Sequence, residues 1–302
     1  MSYIRTGFSL LLCALVFASG CGRGPGAGSE TVTVGSKNFT EQLVIAEIMA
    51  QAIEAGTNLK VARKLNLGGT MICHNALVQG DIDLYAEYTG TALTAILKKS
   101  VVSDPNKVLA IVSKEYAEQF QCGWQKPFGF NNTYAITVRG AFADEKGLEK
   151  VSDLAGIAGE TTAGFTAEFM EREDGYPGLK KAYGISFKDT RDMEPSLMYR
   201  AMEQESVDVI CAFATDGRIA AYKLRMLEDD KGFFPPYYAA PVVRQAALDK
   251  HPGIAEALAP LAGALDDETM QKLNFEVDDK KREPAEVARE FLVGKGIVKE
   301  SP

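Results

Sequence analysis

From Val32 onward, short apolar runs with a period of two alternate with longer runs whose apolar residues recur every three or four positions. "TVTVGS" predicts a strand, and "NFTEQLVIAEIMAQAIEAG" predicts a helix with Asn38 as N-cap, Glu41 three positions later and Gly56 as its stop. "LKVARKLNL" reads as a strand, "TMICHNALVQG" as a helix closed by Gly80, and "DIDLYAEY" as a strand running into a turn. "TALTAILKK" and "DPNKVLAIVSKEYAEQF" read as helices. A new strand is expected at "TYAITVRG", and the alternation resumes through "GIAGETT", "EFMEREDG", "ISFKD", "SLMYRAMEQ" and "VDVICAFATDG"; from Asp249 the chain is mostly helical. This rhythm predicts an α/β fold with mainly parallel sheet. No internal repeat is visible.

Two segments interrupt the rhythm, "KPFGFNNT" near 126–133 and "DDKGFFPPYYAAP" near 229–241. Both are rich in Gly, Pro and aromatic residues, the composition of segments that cross between lobes. They divide the chain into an expected lobe I, 32–132 plus 236–302, and an expected lobe II, 133–235.

The first 20 residues depart from this pattern. Arg5 followed by "GFSLLLCALVFA" is a positive n-region and an apolar h-region, shorter than the roughly 20 residues of a membrane-spanning helix. The run ends in "ASGC", so residues 1–20 resemble a bacterial lipoprotein signal cut before Cys21, which would carry the lipid; Ala18 stands where such signals most often have Leu. Residues 21–31, "CGRGPGAGSET", form an expected flexible tether. The mature protein is thus expected outside the cytoplasm, in the cell envelope and anchored to a membrane.

Charge narrows the partners. The chain has 302 residues, with 33 basic against 41 acidic, a net charge of −8. Its Lys and Arg are scattered, which argues against a nucleic-acid partner. His74 and His251 stand far apart with no ligand-like spacing, so neither a metal site nor a Ser-His-Asp triad is expected, and no cofactor. Beyond Cys13 and Cys21 three cysteines remain, Cys73, Cys122 and Cys211; an odd number allows one bridge at most.

Tyrosines recur at element ends rather than along helical stripes. Tyr85 and Tyr88 close a predicted strand, Tyr134 follows one crossover, Phe213 ends "VICAF", and Tyr237 and Tyr238 lie in the other crossover. Ligands of parallel α/β sheets gather at the carboxyl ends of strands, and clefts between lobes hold small molecules. Aromatics converging there suggest a cage for a quaternary ammonium group, each ring face worth about 0.5–2 kcal/mol. A zwitterion needs an anchor for its anion as well. Lys37 and Asn38 stand where a strand gives way to a helix, and Arg172 in "EREDG" can fork onto a carboxylate or pair with Glu171 or Asp174. Asp216 in "ATDGRI" reads as a helix N-cap, with Thr215 at the edge of the cleft.

"GSKNFTEQ", "LGGT", "GDIDLYAEYTGTAL", "FGFNNTYAI", "EREDGYPGLKKAYG", "FATDGRI" and "FFPPYYAAPVVR" together resemble the substrate-binding proteins of glycine betaine/carnitine/choline ABC transporters. The likeness covers nearly all of 32–298. It implies a two-lobed, type II periplasmic-binding-protein-like fold with two crossovers, closing over a compatible solute and docking on a membrane permease. By motif position it implies that Tyr88 and Thr91 contact the ligand, that Tyr134 and Tyr237 are cage walls, with Tyr238 as an alternative to Tyr237, and that Lys37 and Arg172 meet the ligand carboxylate. Phe213 stands where some relatives carry a cage tyrosine, and Ala86 where Pro is common. Glycine betaine, carnitine, choline and proline betaine all suit this logic; a larger trimethylated betaine such as ergothioneine is an alternative. An exported enzyme on the same architecture would need a nucleophile with a placed base, and Cys73 beside His74 is a poor pair, because adjacent helical residues point about 100° apart. Replacing Tyr88 or Tyr134 by Ala is expected to weaken binding at least tenfold with little change in melting temperature.

Overall fold

The computed structural model describes residues 30–299. The expected signal peptide and Cys21 lie outside them, as does nearly all of the tether. Strand β1, Thr31–Gly35, begins at the last residue of that expected tether and pairs in parallel with β2, Lys60–Lys64, and β3, Leu84–Tyr88. Between β1 and β2 runs helix α1, Thr40–Gly56. It is buried on nearly every side because the sheet covers one face and helices from the C-terminal region cover the rest. Helix α2, Thr70–Gln79, stops at Gly80, which takes a left-handed φ of 84° and returns its N–H to Ala76 and Leu77.

The first sheet is completed by β4, Cys122–Trp124, and by the last strand of the chain, β10, Ala239–Arg244, in the order β2-β1-β3-β10-β4. The second sheet holds β5, Tyr134–Arg139, β6, Thr162–Phe165, β7, Asp189–Asp192, β8, Val209–Phe213, and β9, Leu224–Met226. Its order, β7-β6-β8-β5-β9, repeats the pattern of the first without a matching sequence repeat.

Three expectations are corrected here. The sheets are mixed rather than mainly parallel: β10 runs antiparallel to β3 and β4, and β5 antiparallel to β8 and β9. The cause is topological, since a chain arriving from the other lobe enters at the cleft, where the parallel strands end. The strand expected at "ISFKD" begins only at Asp189, because Ile185 is spent on the core before the chain reaches the sheet edge. Asn38 does not cap α1: Phe39 holds the N-cap position with no side-chain bond, and the Asn38 amide instead reaches Glu194 at 3.3 Å.

Residues 125–133 and 227–238 connect the sheets and are bonded to each other. The Asn132 N–H donates to the Tyr237 carbonyl at 3.2 Å, and the Tyr237 N–H donates to Asn131 Oδ1 at 2.7 Å. The helix Asp267–Asp278 packs on α1 and reaches across to the second sheet, where Gln271 donates to the Ala214 carbonyl and Asn274 to that of Thr215. Among the described residues no helix is long and apolar enough to cross a membrane, and no cluster of His, Cys, Asp and Glu is arranged to hold a metal. Cys73, Cys122 and Cys211 are buried and form no disulfide among the described residues.

Candidate functional site

A cavity of about 230 Å³ lies between the two sheets. Its walls come from the carboxyl ends of parallel strands and the amino ends of the antiparallel ones. Tyr88 closes β3, Phe213 closes β8, Tyr134 opens β5, and Tyr237 lies two residues before β10. Lys37, Asn38, Thr91 and Arg172 also line it.

The rings form one continuous surface. Tyr134 stands edge-on to Tyr237, centroids 5.2 Å apart at 73°, and lies 5.8 Å from Phe213. Phe213 stacks on Phe39 at 5.5 Å and 7°, and Phe39 continues to Tyr88 at 6.3 Å. Phe39 was not singled out from the sequence, although it lies within the "GSKNFTEQ" motif; nothing in its spacing tells which way a residue just before a helix will point. Tyr238 is corrected: its backbone pairs with Thr89, and its side chain lies outside the cavity. Tyr85 also turns away. A strand places residues three apart on opposite faces, so its hydroxyl bonds Glu87 at 2.9 Å within a separate core under the helix Pro105–Phe120.

Hydroxyls at the back of the rings are tied down. Tyr88 donates to Glu41 at 2.6 Å and accepts from the Gln42 amide at 3.1 Å. Tyr237 donates to Asp174 at 2.6 Å. Lys37 Nζ lies 5.1 Å from the Tyr88 ring centroid, and the Arg172 guanidinium 5.6 Å from that of Tyr134.

Basic groups sit opposite. Arg172 donates Nε to Asp174 at 2.8 Å and Nη2 to the same carboxylate, with Thr91 and Thr94 at 3.5 and 3.4 Å from Nη2. Burial pushes the Asp174 carboxyl up, but Arg172 outweighs it and holds the group below its ordinary value. Arg172 Nη1 is buried and has no partner among the described residues. Lys37 differs from expectation: it is 3 % exposed and its Nζ already holds Glu87 at 2.6 Å and Thr70 at 3.0 Å. Glu87 is fully buried, so this lysine is first the counter-ion of a core carboxylate. Across the cleft Glu168 accepts the Thr70 N–H at 2.6 Å, bringing the two sheets together over the cavity.

Asp216 accepts the Arg218 N–H at 2.9 Å and also pairs with the Arg218 side chain, a local structural role. Thr215 is fully buried and does not border the main cavity, because its hydroxyl is drawn to Glu41. At Cys73, burial pushes the thiol up to about 12, and at His74 burial lowers the imidazole, so this pair supplies no thiolate at neutral pH.

Comparison with known proteins agrees with this architecture. The chain is 42% identical over 288 residues to the carnitine transport binding protein OpuCC of Listeria monocytogenes, covering 94% of this chain and 93% of that one. It is 36% identical over 267 residues to the ergothioneine transport permease/ergothioneine binding protein EgtU of Helicobacter pylori, covering 88% of this chain but 48% of that longer protein. A crystal structure described as a glycine betaine/carnitine/choline ABC transporter superposes with a TM-score of 0.74 at 38% identity, covering 88% of this chain and 99% of that one. Residues 30–293 match the profile of the substrate binding domain of ABC-type glycine betaine transport systems, and the chain belongs to that family.

Proposed function

We propose that this protein is an extracytoplasmic receptor that delivers a quaternary-ammonium zwitterion, of the carnitine or glycine betaine type, to the membrane permease of an ABC importer. The carrying observation is the pairing of ring faces from both lobes with the buried, unpartnered Nη1 of Arg172 at one cavity. Tyr88, Tyr134, Phe213, Tyr237 and Phe39 receive the methylated cation. Arg172, with Thr91 and the remaining Nζ proton of Lys37, receives the carboxylate. Lobe I, 32–132 plus 236–302, and lobe II, 133–235, close over the ligand about the paired crossovers, and the ligand shifts that equilibrium by preferring the closed arrangement. Cys21 carries the lipid that keeps the receptor at the membrane.

The cavity volume lies below the roughly 300–1,000 Å³ of sites for drug-sized ligands, which favours small solutes. A choline molecule in this pose leaves Nη1 without an acceptor, at a cost of about 1–3 kcal/mol. Calorimetric titration of purified protein with carnitine, glycine betaine, choline and ergothioneine tests the reading. Carnitine or glycine betaine should bind at least tenfold tighter than choline. Equal affinity for choline removes the role of Arg172, and binding of none removes the proposal. The ergothioneine reading rests on the relative that binds it, and preference for that ligand in the same titration decides in its favour.

A further inference from the structure

Glu41 does not line the main cavity, yet it bonds four groups around it that come from separate parts of the chain. It lies in the first turn of α1 and its carboxylate is buried. Oε1 accepts the Tyr88 hydroxyl at 2.6 Å and the Asn132 amide at 2.7 Å. Oε2 accepts the Thr215 hydroxyl and the Asn274 amide, the latter at 3.2 Å. These donors come from the end of β3, the first crossover, the segment after β8 in the second sheet, and the helix Asp267–Asp278. Both amides turn their nitrogens to Glu41 and leave their oxygens buried without partners among the described residues. Burial raises the Glu41 carboxyl above its ordinary value, and the four donors oppose that shift.

The same two chain segments meet twice. Phe39 stacks on Phe213, and two residues further along each segment Glu41 bonds Thr215. One contact faces the cavity and the other lies behind it.

We propose that Glu41 is a positioning residue that couples the Tyr88 wall of the cage to the placement of the second lobe. One oxygen sets the Tyr88 hydroxyl and the other holds Thr215, so a displacement of Thr215 is felt at the Tyr88 ring through a single rigid group. The cage geometry is then correct only when the lobes are correctly placed, and closure and ligand grip become one event. The proposal rests on the reading of these rings as the ligand cage, and part of its test is independent of that reading.

Thr215→Val keeps the side-chain volume and removes only the donor from the second lobe. For carnitine or glycine betaine, stopped-flow binding should show dissociation at least fivefold faster with association within twofold of wild type. Adding Thr215→Val to Glu41→Gln should cost nothing beyond Glu41→Gln alone, because both changes cut one link. In ligand-free protein, amide hydrogen exchange at residues 88–91 should speed up in Thr215→Val, although Thr215 has no hydrogen bond to Tyr88. Unchanged dissociation, or effects of the two substitutions that multiply, overturn the coupling while leaving the cage intact. If neither ligand binds the wild-type protein, the ligand reading fails and the exchange result decides alone; unchanged protection at 88–91 then overturns the proposal. Should Glu41→Gln fail to fold, Thr215→Val by itself tests the coupling, by dissociation rate and by exchange, with the same outcomes overturning it.

Discussion

Arg172 commits Nε and Nη2 to Asp174, two residues away, and leaves Nη1 buried and unpaired among the described residues. The carboxylate does more than neutralise the guanidinium: it fixes the plane of the fork and thus the direction in which Nη1 points. Asp174 in turn receives the Tyr237 hydroxyl, so the anion anchor and one cage wall share a carboxylate. Arg172→Lys keeps the charge but loses the planar fork. Glycine betaine affinity should fall at least tenfold, while choline affinity changes less than threefold, as read by calorimetry.

Tyr134 contributes its ring and little else. It touches Phe169, Phe213, Phe234 and Tyr237, and the Arg172 guanidinium lies 5.6 Å from its centroid. Tyr134→Leu keeps most of the apolar volume and removes a face worth about 0.5–2 kcal/mol to a cation. Affinity should fall about three- to thirtyfold with the melting temperature nearly unchanged.

Tyr88 does not permit the same test. Its hydroxyl satisfies Glu41, a buried carboxylate, so Tyr88→Ala removes one of four donors as well as a ring. The expectation of an unchanged melting temperature is revised for this residue. Tyr88→Ala should destabilise the protein by about 1–3 kcal/mol by chemical denaturation, the cost of an unsatisfied buried group. Tyr88→Ala with an unaltered denaturation midpoint contradicts the role assigned to Glu41.

The Lys37–Glu87 pair makes a sharper claim. With side chains 4% and 0% exposed, removing one partner strands a buried charge, at about 3–5 kcal/mol. Lys37→Met should destabilise accordingly, and Lys37→Met combined with Glu87→Gln should recover most of the loss. A stable Lys37→Met single variant would show that the lysine serves the ligand alone.

His74 sets a pH dependence. Burial lowers its imidazole below the ordinary 6.5, against the opposing pull of Glu87, and its ring packs edge-on to Tyr116 and Phe120. The folded state therefore binds the proton less readily than the unfolded chain, and stability falls as pH drops below about 6.5 toward the folded value. Melting curves between pH 7.5 and 5 should show this decline, and His74→Phe should flatten it. An equal decline in His74→Phe assigns the effect to other groups.

The local patterns were informative because they are local. The apolar period placed most strands and helices close to where they stand, and the Gly- and Pro-rich interruptions at 126–133 and 229–241 marked where the chain crosses between sheets. Tyr134, Tyr237 and Phe213 stand out because they sit at element ends, and strand ends are where an α/β sheet opens. Local pattern fails where the outcome depends on a partner remote in sequence. Asn38 has the composition of an N-cap, but Glu194 on the opposite lobe claims its amide. Lys37 looks like an anion anchor until Glu87, 50 residues on, is placed beneath it. Glu41 looks like half of a capping box until the fold surrounds it with Tyr88, Asn132, Thr215 and Asn274.

The α/β alternation, the two crossings and the aromatic endings of the strands were thus written into the chain, since backbone propensity and hydrophobic period act over a few residues. Folding alone made Tyr88 face the cavity while Tyr85 does not, brought Phe39 to the other rings, spent Lys37 on Glu87, and left Arg172 one donor free. Those outcomes are choices among competing charges and hydrogen-bond partners. Such choices are made by distance and burial, which exist only once the chain has folded.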